Sequence, residues 1–240
     1  MTIIKGKHAV AEALASGAQL DRILVAYTIK DRADIRSVIT KAQFQSVKVQ
    51  YCSASELKRL IPDGSHQGIA GYMRLQKAVS LDMLIADQGH YPFIIAVDHM
   101  QDPYNFGAIL RTCESFGIKA VLYPKDRNVQ ITPGVIKVSS GAVNYLDLVK
   151  VTNLASALEK LKSAGYWIYG ADSHNGQSLD QFQPQFPLVL VMGSEQKGIS
   201  KRIQKMVDLN IHIPIKGRTE SLNVSVAAGI IMYQLSRLSL

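Results

Sequence analysis

The chain has 240 residues, 47% of them hydrophobic, which is enough for one large domain or two small ones with real cores. Its net charge is +8, and residues 1–77 hold 12 Lys and Arg against 6 Asp and Glu. This imbalance is typical of a module that binds a polyanion, although a generally basic protein is the simpler alternative. The longest apolar runs fall far short of the about 20 residues of a membrane span, and the N-terminus lacks an apolar signal-peptide core. We therefore expect a cytoplasmic protein with no membrane partner.

The first 75 residues alternate helical and strand patterns, which favours a small α/β domain. Ser53 and Glu56 have the spacing of a capping box at the start of a helix. Pro62-Asp63-Gly64 is typical of a turn. The patterns predict helices over 9–16, 31–44 and 53–61, and strands over 22–27, 47–52 and 69–73.

Residues 76–89 have the composition of a linker with a short amphipathic turn at 81–85. From residue 90 to 240 the alternation lengthens, and near-continuous apolar strands separated by helices predict a parallel sheet covered on both faces. No strand leads into a G-x-G-x-x-G loop, so the usual dinucleotide-binding fingerprint is absent from the sequence. The patterns predict strands over 93–97, 120–123, 167–171, 188–192 and 209–213, and helices over 105–116, 154–164 and 221–238.

The chain has two cysteines, Cys52 and Cys113, in a strand-like and a helix-like segment. We expect both to be buried free thiols. No Cys and His cluster has the spacing of metal ligands, so the sequence predicts no metal site.

The first loop that carries chemistry follows the strand at 93–97. Asp102 precedes Pro103 and is therefore pushed to an extended conformation. Asn105 is expected at the N-cap of the next helix, followed by the small Gly107. Arg111 lies on the second helical turn with its guanidinium uncovered. Taken alone, the segment also fits an ordinary N-cap and a solvated arginine.

The second loop follows the strand at 188–192. Gly193 ends that strand and would let a ligand approach the backbone without a Cβ in the way. Ser194 and Glu195 follow at the rim, and Gly198 allows the turn before the next helix. An ordinary tight strand–helix loop would account for these residues equally well.

The third loop runs from Ile213 and Pro214 to a C-terminal helix. Ser221 is the expected N-cap of that helix, so that Asn223 can point back toward a ligand. Small residues at 227–229 allow close packing against another helix, either in this chain or in a second subunit. A tightly packed terminal helix with no ligand is the alternative.

In this order, the three loops resemble the motifs of the SpoU/TrmH family of RNA ribose 2′-O-methyltransferases. The match covers D-P-x-N-x-G-A-I-x-R at 102–111, G-S-E-x-x-G at 193–198 and I-P-I-x-G-x-x-x-S-L-N-V-S at 213–225. The first 75 residues, with G-K-H-A-V at 6–10 and H-Q-G-I at 66–69, resemble the L30e-like RNA-binding domain that precedes many such enzymes.

The resemblance implies an α/β fold with a C-terminal α/β-knot catalytic domain, a trefoil-knotted and mainly parallel sheet, over 90–240. It implies an RNA substrate-binding domain over 1–75, S-adenosylmethionine as cofactor, and a homodimer with its active site near the subunit interface. Catalytic roles are implied for Asn105, Arg111, Glu195, Ser221 and Asn223. Cofactor contacts are implied for Met192, Gly193, Ile213, Pro214 and Leu222.

The implied reaction moves a methyl group from a sulfonium to a ribose 2′-hydroxyl, so the enzyme must align a displacement and manage one proton. Arginine has a pKa above about 12 and is a poor base near neutrality. We therefore favour Arg111 as a bidentate phosphate clamp that also stabilises charge on the 2′-oxygen.

The domain layout is most similar to the subgroup that methylates a guanosine ribose in 23S rRNA. A tRNA 2′-O-methyltransferase, or an RNA-binding or ribosome-assembly factor without activity on the same fold, are the alternatives.

Overall fold

The computed structural model of the protein describes residues 2–15, 19–61, 66–73 and 79–238. These residues divide into two compact units, Met1–Lys77 with Thr132–Asn144, and Ala78–Ile131 with Tyr145–Leu240. The turn expected at 62–64 lies outside the described residues. Over the ranges that are described, no helix is long and apolar enough to cross a membrane.

The first unit contains a four-stranded sheet in the order β1-β4-β2-β3. β2 pairs in parallel with β3, whereas β4 runs antiparallel to both β1 and β2. The strands are β1 (Thr2–Lys5), β2 (Leu20–Ala26), β3 (Lys48–Cys52) and β4 (Ile69–Met73), and the helices are α1 (Lys7–Ala15), α2 (Ala33–Phe44) and α3 (Ala54–Leu60). The sequence predicted all of these except β1.

Helix α3 begins where its capping signal predicts. The Ser53 hydroxyl accepts a hydrogen bond from the Glu56 amide at 3.1 Å, which satisfies one of the amides left open at a helix start. The Lys7 ammonium and the Arg32 guanidinium both bond Asp34, at 2.9 and 3.0 Å. These two partners hold the pKa of Asp34 at about 2.

The second unit is built on a seven-stranded sheet in the order β7-β6-β5-β10-β8-β11-β9, in which every pairing is parallel. This confirms the mainly parallel sheet expected from the apolar strands. The strands are β5 (Phe93–Val97), β6 (Ala120–Pro124), β7 (Asp147–Val151), β8 (Trp167–Ala171), β9 (Gln177–Ser178), β10 (Leu188–Met192) and β11 (Leu209–His212). The sequence missed β7 and β9, which lie at the two edges.

Helices connect these strands along the chain. Residues 81–86 form a helix with Ser80 as its N-cap, where the sequence predicted a turn in a linker. The helices are α4 (Leu81–Ala86), α5 (Pro103–Ser115), α6 (Pro133–Val138), α7 (Leu154–Ser163), α8 (Lys201–Gln204) and α9 (Val224–Ser236). Of these, α6 groups with the first unit, where Lys137 lies 3.7 Å from Glu12.

The central strands are fully buried. Every residue of β5, β6 and β10 is buried, so their side chains form cores on both faces of the sheet. Cys52 and Cys113 are buried free thiols, as expected. Burial raises the pKa of the Cys113 thiol, so it stays protonated and packs as an apolar group against Met232.

Candidate active site

The site lies at the carboxyl ends of the central parallel strands. β5 and β10 are neighbours in the middle of the sheet. The strand that follows β5 along the chain, β6, lies on one side of this pair, whereas the strand that follows β10, which is β11, lies on the other side. Ligands bind at such a switch point in open parallel sheets, because loops from neighbouring strands diverge and leave a crevice. The three loops singled out by sequence all end here, after β5, β10 and β11.

A chain of hydrogen bonds joins these three loops. The Asn105 amide nitrogen donates to Glu195 Oε1 at 2.7 Å, and Asn105 Oδ1 accepts from the Asn223 amide nitrogen at 3.1 Å. Asn105 is 9% exposed and belongs to α5, 90 residues from Glu195 in sequence. The structure therefore brings together three of the five residues predicted to be catalytic.

The structure corrects both predicted helix caps. Asp102, and not Asn105, is the N-cap of α5, and its carboxylate accepts from the Tyr104 amide at 2.9 Å. Asn223, and not Ser221, is the N-cap of α9, because Asn223 Oδ1 accepts from the Ser225 amide at 2.9 Å. The capping bond has a consequence for the site. Since the oxygen of Asn223 is engaged by its own helix, its amide nitrogen is directed toward Asn105 as a donor.

The loop between β10 and α8 is a tight turn that presents Glu195 at its tip. Ser194 and Gly198 exchange backbone hydrogen bonds of 3.0 and 2.9 Å, and Gly198 has a φ of +62°. A Cβ on Gly193 would overlap the backbone of Gly198 and Ile199. The need for glycine at 193 is therefore internal to the loop, whereas the sequence attributed it to the approach of a ligand.

Asp98, at the end of β5, holds the far end of the same loop. Its carboxyl group is 1% exposed and accepts from the Ser200 amide at 2.7 Å. Its other oxygen lies 2.5 Å from Nδ1 of His99. A buried carboxylate needs such partners, so Asp98 fixes both the loop and the histidine ring.

A first cavity of about 680 Å³ opens at the ends of β8, β10 and β11. Its apolar wall includes Ile213, Ile215 and Leu222, and its rim includes Asp172 and Glu195. Burial alone would raise the pKa of Asp172, but hydrogen bonds from the amides of His174 and Asn175 and from the Asn175 side chain outweigh it and lower that pKa. Of the predicted cofactor residues, Met192, Gly193, Ile213 and Leu222 line this cavity, and Pro214 does not.

Two predicted catalytic residues stand apart from the hydrogen-bonded chain. Ser221 lines the first cavity as an exposed side chain. Arg111 is exposed on α5 and lines neither this cavity nor a second one on the other side of the 194–199 loop. Arg111 lies six positions after Asn105, so at 3.6 residues per turn their side chains point to different faces of the helix.

Sequence reasoning missed several side chains that line the two cavities. Asp172 follows β8 directly and could have been found by the same strand-end argument that identified the other loops. His99 and Arg127 line the second cavity and carried no signal that separated them from other loop residues. Among the described residues, no three His, Cys, Asp or Glu are grouped so that they could hold a metal ion.

The parallel sheet with a crevice at its strand ends defines a ligand-binding α/β protein, and comparison with known proteins identifies the family. Residues 92–233 match the model of the SpoU rRNA methylase family, and residues 3–77 match the model for RNA 2′-O ribose methyltransferase substrate binding. The chain therefore belongs to the SpoU rRNA methylase family, as the motifs indicated.

Relatives agree over nearly the whole chain. A protein of Staphylococcus saprophyticus, named as a TrmH family tRNA/rRNA methyltransferase, is 37% identical over 238 residues, covering 98% of this chain and 95% of its own. A solved TrmH-family structure from Porphyromonas gingivalis has a TM-score of 0.65 at 27% identity, covering 98% and 89% of the two chains. AviRb from Streptomyces viridochromogenes, crystallised with AdoMet (S-adenosylmethionine), shares the fold with a TM-score of 0.65 at 19% identity, covering 98% of this chain and 89% of its own.

Proposed function

We propose that this protein transfers a methyl group from S-adenosylmethionine to a ribose 2′-hydroxyl of RNA. The observation that carries the proposal is the hydrogen-bonded chain of Glu195, Asn105 and Asn223, which links all three family motifs beside a cavity. These three residues, together with Arg111 and Ser221, are the ones to which the family resemblance gives catalytic roles, and all five are present in this chain. The intact chain therefore argues against the alternative of an RNA-binding or assembly factor without activity.

The first cavity suits S-adenosylmethionine. Ile213, Ile215 and Leu222 offer an apolar surface for an adenine ring, and Asp172 and Glu195 offer negative charge to a cationic ligand. Its volume of about 680 Å³ lies within the range of small-molecule sites. When bound, the cofactor supplies a methyl group already activated on a sulfonium. We propose that Met192 and Gly193 contact it from the end of β10, and that Pro214 shapes the loop after β11 without lining the cavity.

The residues of this chain then have distinct tasks. Glu195 lines both cavities and is held by Asn105, so its carboxylate is oriented toward the place where donor and acceptor must meet. Asn223 fixes Asn105 and begins α9, which couples the site to the packing of that helix. Ser221 lies free at the cavity wall, where its hydroxyl can bond the substrate.

We propose that Arg111 acts from a second copy of the chain in a homodimer. On α5, Tyr104, Ala108 and Arg111 share one face by their spacing of four and three residues, and Tyr104 is 70% exposed. On α9, which packs against α5, the apolar residues Val226, Ile230 and Tyr233 form an exposed stripe. Burial of this apolar surface against its own copy would carry Arg111 into the interface.

Mixing inactive variants tests this arrangement. Arg111→Ala and Asn223→Ala should each be inactive alone. Refolded together, they form hybrid dimers in which one site draws Asn223 from one subunit and Arg111 from the other. Activity should return to about a quarter of the wild-type value, because half of the dimers are hybrids with one intact site. No recovery in a mixture that demonstrably contains hybrids would mean that Arg111 acts within its own subunit.

The chemical role of Arg111 can be tested separately with Arg111→Lys. Lysine keeps the charge and loses a proton more easily, but it lacks the planar pair of donors. If Arg111 clamps a phosphate, the variant should stay impaired at high pH. A recovery of activity as pH rises, with RNA binding unchanged, would instead favour a role as general base.

We propose that the RNA target is a guanosine of 23S rRNA and that the protein acts in the cytoplasm. The domain order, with G-K-H-A-V at 6–10, supports this choice over tRNA. Mapping ribose methylation in total RNA from cells with and without the gene tests it directly. Loss of a single 2′-O-methylguanosine from 23S rRNA is the expected result, and loss of a tRNA methylation would favour the alternative. The trefoil knot stays a prediction.

A further inference from the structure

A second cavity lies beside the first one, on the other side of the loop that carries Glu195. It has a volume of about 810 Å³ and is built from the loops after β5, β6 and β10. Residues 194–199 line both cavities, so a single turn of chain separates them. Asn105 lines only the second cavity, and its partner Glu195 belongs to both. Two adjoining cavities with a shared functional wall are what a reaction between two bound molecules requires.

The second cavity is rich in positive charge that is free to bind a ligand. Arg127, Lys197 and Lys201 line it, and in the described part of the chain none of the three has an acidic partner within ion-pair distance. Two carboxylates, Asp102 and Glu195, also line the wall, and each accepts a hydrogen bond from a neutral amide that leaves its charge in place. The three cations therefore outnumber the two carboxylates, and the wall keeps a net charge of +1. An anionic ligand is therefore favoured here.

Two of the lining residues have a backbone conformation that costs energy. His99 has a φ of +59° and Arg127 a φ of +56°, in the left-handed region that side chains other than glycine seldom adopt. The contacts around them maintain this conformation. The Val129 amide donates to the Met100 carbonyl at 2.7 Å and ties the two loops together, and Asp98 holds the His99 ring. Local strain of this kind is found where a side chain must be placed for function.

The ring of His99 is oriented for a ligand in the cavity. Its Nδ1 is engaged by Asp98 at 2.5 Å, and the side chain is 38% exposed. This leaves Nε2 as the ring nitrogen available to a ligand, as a donor to a phosphate oxygen or a partner for a hydroxyl.

We propose that the second cavity binds the ribonucleotide that receives the methyl group, with Arg127 and Lys201 on its flanking phosphates and His99 on its ribose or phosphate. The inference rests on the proposed function, and it deepens it by assigning the acceptor a place and named contacts. A free phosphate ion would leave most of about 810 Å³ unfilled, whereas a nucleotide has the size of ligands that such cavities hold. The shared wall at Glu195 then places the ribose next to the donor in the first cavity.

The test uses full-length protein with substitutions that remove a side chain without adding strain. Glycine adopts the left-handed region freely, so Arg127→Gly should fold with a melting temperature equal to or above that of wild type. His99→Gly relieves the same backbone strain but removes a hydrogen-bond partner of the buried Asp98 carboxylate, so it should fold with a lower melting temperature. Lys125→Ala is the matched control, because Lys125 is a basic, exposed residue of the same loop that lines neither cavity. Gln101→Trp is a second probe that fills the cavity without changing charge.

The acceptor is deproteinised total RNA from cells that lack the gene, with tritiated S-adenosylmethionine as donor. The KM for RNA should rise by about tenfold or more in each of the three cavity variants, Arg127→Gly, His99→Gly and Gln101→Trp. In the first two the cause is the loss of one charge-assisted hydrogen bond, and in the third it is the blocked entry of the nucleotide. Lys125→Ala should change the KM by less than about threefold. By calorimetry, all four variants should bind S-adenosylhomocysteine with an affinity close to that of wild type.

The outcomes separate the two levels of inference. If wild-type protein methylates no RNA, the proposed function fails. If it methylates RNA but the three cavity variants keep the KM of the Lys125→Ala control, the proposed function stands and the assignment of the acceptor cavity is overturned. Weakened S-adenosylhomocysteine binding in Arg127→Gly would also overturn it, because the residue would then belong to the first cavity.

Discussion

Placing a second carboxylate against Glu195 tests the hydrogen-bonded chain at its centre. Asn105→Asp replaces the donor that lies 2.7 Å from Glu195 Oε1 with an acidic oxygen, while the bond from Asn223 can persist. Two charges about 4 Å apart repel by about 4 kcal/mol at an effective dielectric constant of about 20. Because Glu195 is exposed, solvent screening lowers this to about 2 kcal/mol, and the position of residue 105 in the first turn of α5 returns about 0.3–1 kcal/mol.

The repulsion predicts a particular dependence on pH. The net cost of about 1–1.7 kcal/mol raises the folded-state pKa of the introduced carboxyl by about 1 unit, from about 4 to about 5. A group whose pKa is raised on folding contributes stability below its unfolded pKa and loses it as pH rises through the folded value. Asn105→Asp should therefore be destabilised at pH 7.5 and should recover at pH 4.5, relative to wild type at each pH.

Urea unfolding at the two pH values measures the effect. The control is Asn105→Ala, which removes both bonds without adding charge and should lose about 1–3 kcal/mol equally at both pH values. If Asn105→Asp loses the same free energy at pH 4.5 and 7.5, or loses none, the carboxylate does not face Glu195 and the proposed geometry is wrong.

Three further predictions follow from single features of the structure. Gly193→Ala should lower the free energy of unfolding by roughly 2 kcal/mol or more, because the new Cβ would overlap the backbone of Gly198. The variant should therefore unfold at a lower urea concentration than wild type, and equal midpoints would mean that the loop can move aside. Burial and a hydrogen bond to a carboxylate raise the pKa of Tyr91 to about 12. Because this pKa is raised on folding, the protein should lose stability as pH rises from 10 to 12. Thermal melts over that range should show a smaller loss of stability in Tyr91→Phe. Lys30 and Lys58 are exposed residues of the basic first unit. Replacing both with glutamine should weaken RNA binding and lower its salt slope by up to about 1 for each phosphate contact that is lost. An unchanged slope would mean that these two lysines do not contact RNA.

Charge substitutions are preferable to removing residues 1–75. Helix α6 groups with the first unit, although it lies more than 50 residues beyond that unit's main segment. Deleting the N-terminal residues would therefore uncover α6 as well as remove charge. The sequence did not indicate this arrangement, because the packing of one helix on a distant segment is a tertiary property that no local pattern encodes.

Much of the fold was predictable because its signals are local. The apolar runs at β5 and β10 have the predicted bounds, since strands buried on both faces appear as uninterrupted apolar segments. β8 also has its predicted bounds, although Trp167 at its start is exposed. The edge strands were missed for the opposite reason. β7 carries polar residues among its apolar ones, and β9 has two residues, too few for any pattern to be recognised.

The sequence indicated candidate residues for the site better than it indicated how those residues are arranged. Asp102 and Asn105 are both good capping residues, and Ser221 and Asn223 are too, so sequence alone could not decide which one begins each helix. The left-handed backbone of His99 and Arg127 has no signal in the sequence, because it is imposed by contacts between loops. The family resemblance named Asn105, Glu195 and Asn223 as candidates, and the structure shows how they are joined. Their catalytic roles stay a prediction.

The shared wall between the two cavities predicts that their ligands bind cooperatively. Glu195 and the 194–199 turn line both, so a ligand in one cavity orders part of the surface that the other ligand contacts. The second ligand then binds a surface that is already ordered and gains affinity. Linkage requires the effect to be reciprocal, so RNA should raise the affinity for S-adenosylhomocysteine by the same factor by which S-adenosylhomocysteine raises the affinity for RNA.

Calorimetry and RNA-binding titrations, each with and without the other ligand, measure the two factors. Asn105→Ala should reduce both toward 1, because it releases Glu195 from the chain. Two ligands that bind independently in wild-type protein would show that the turn does not transmit order between the cavities.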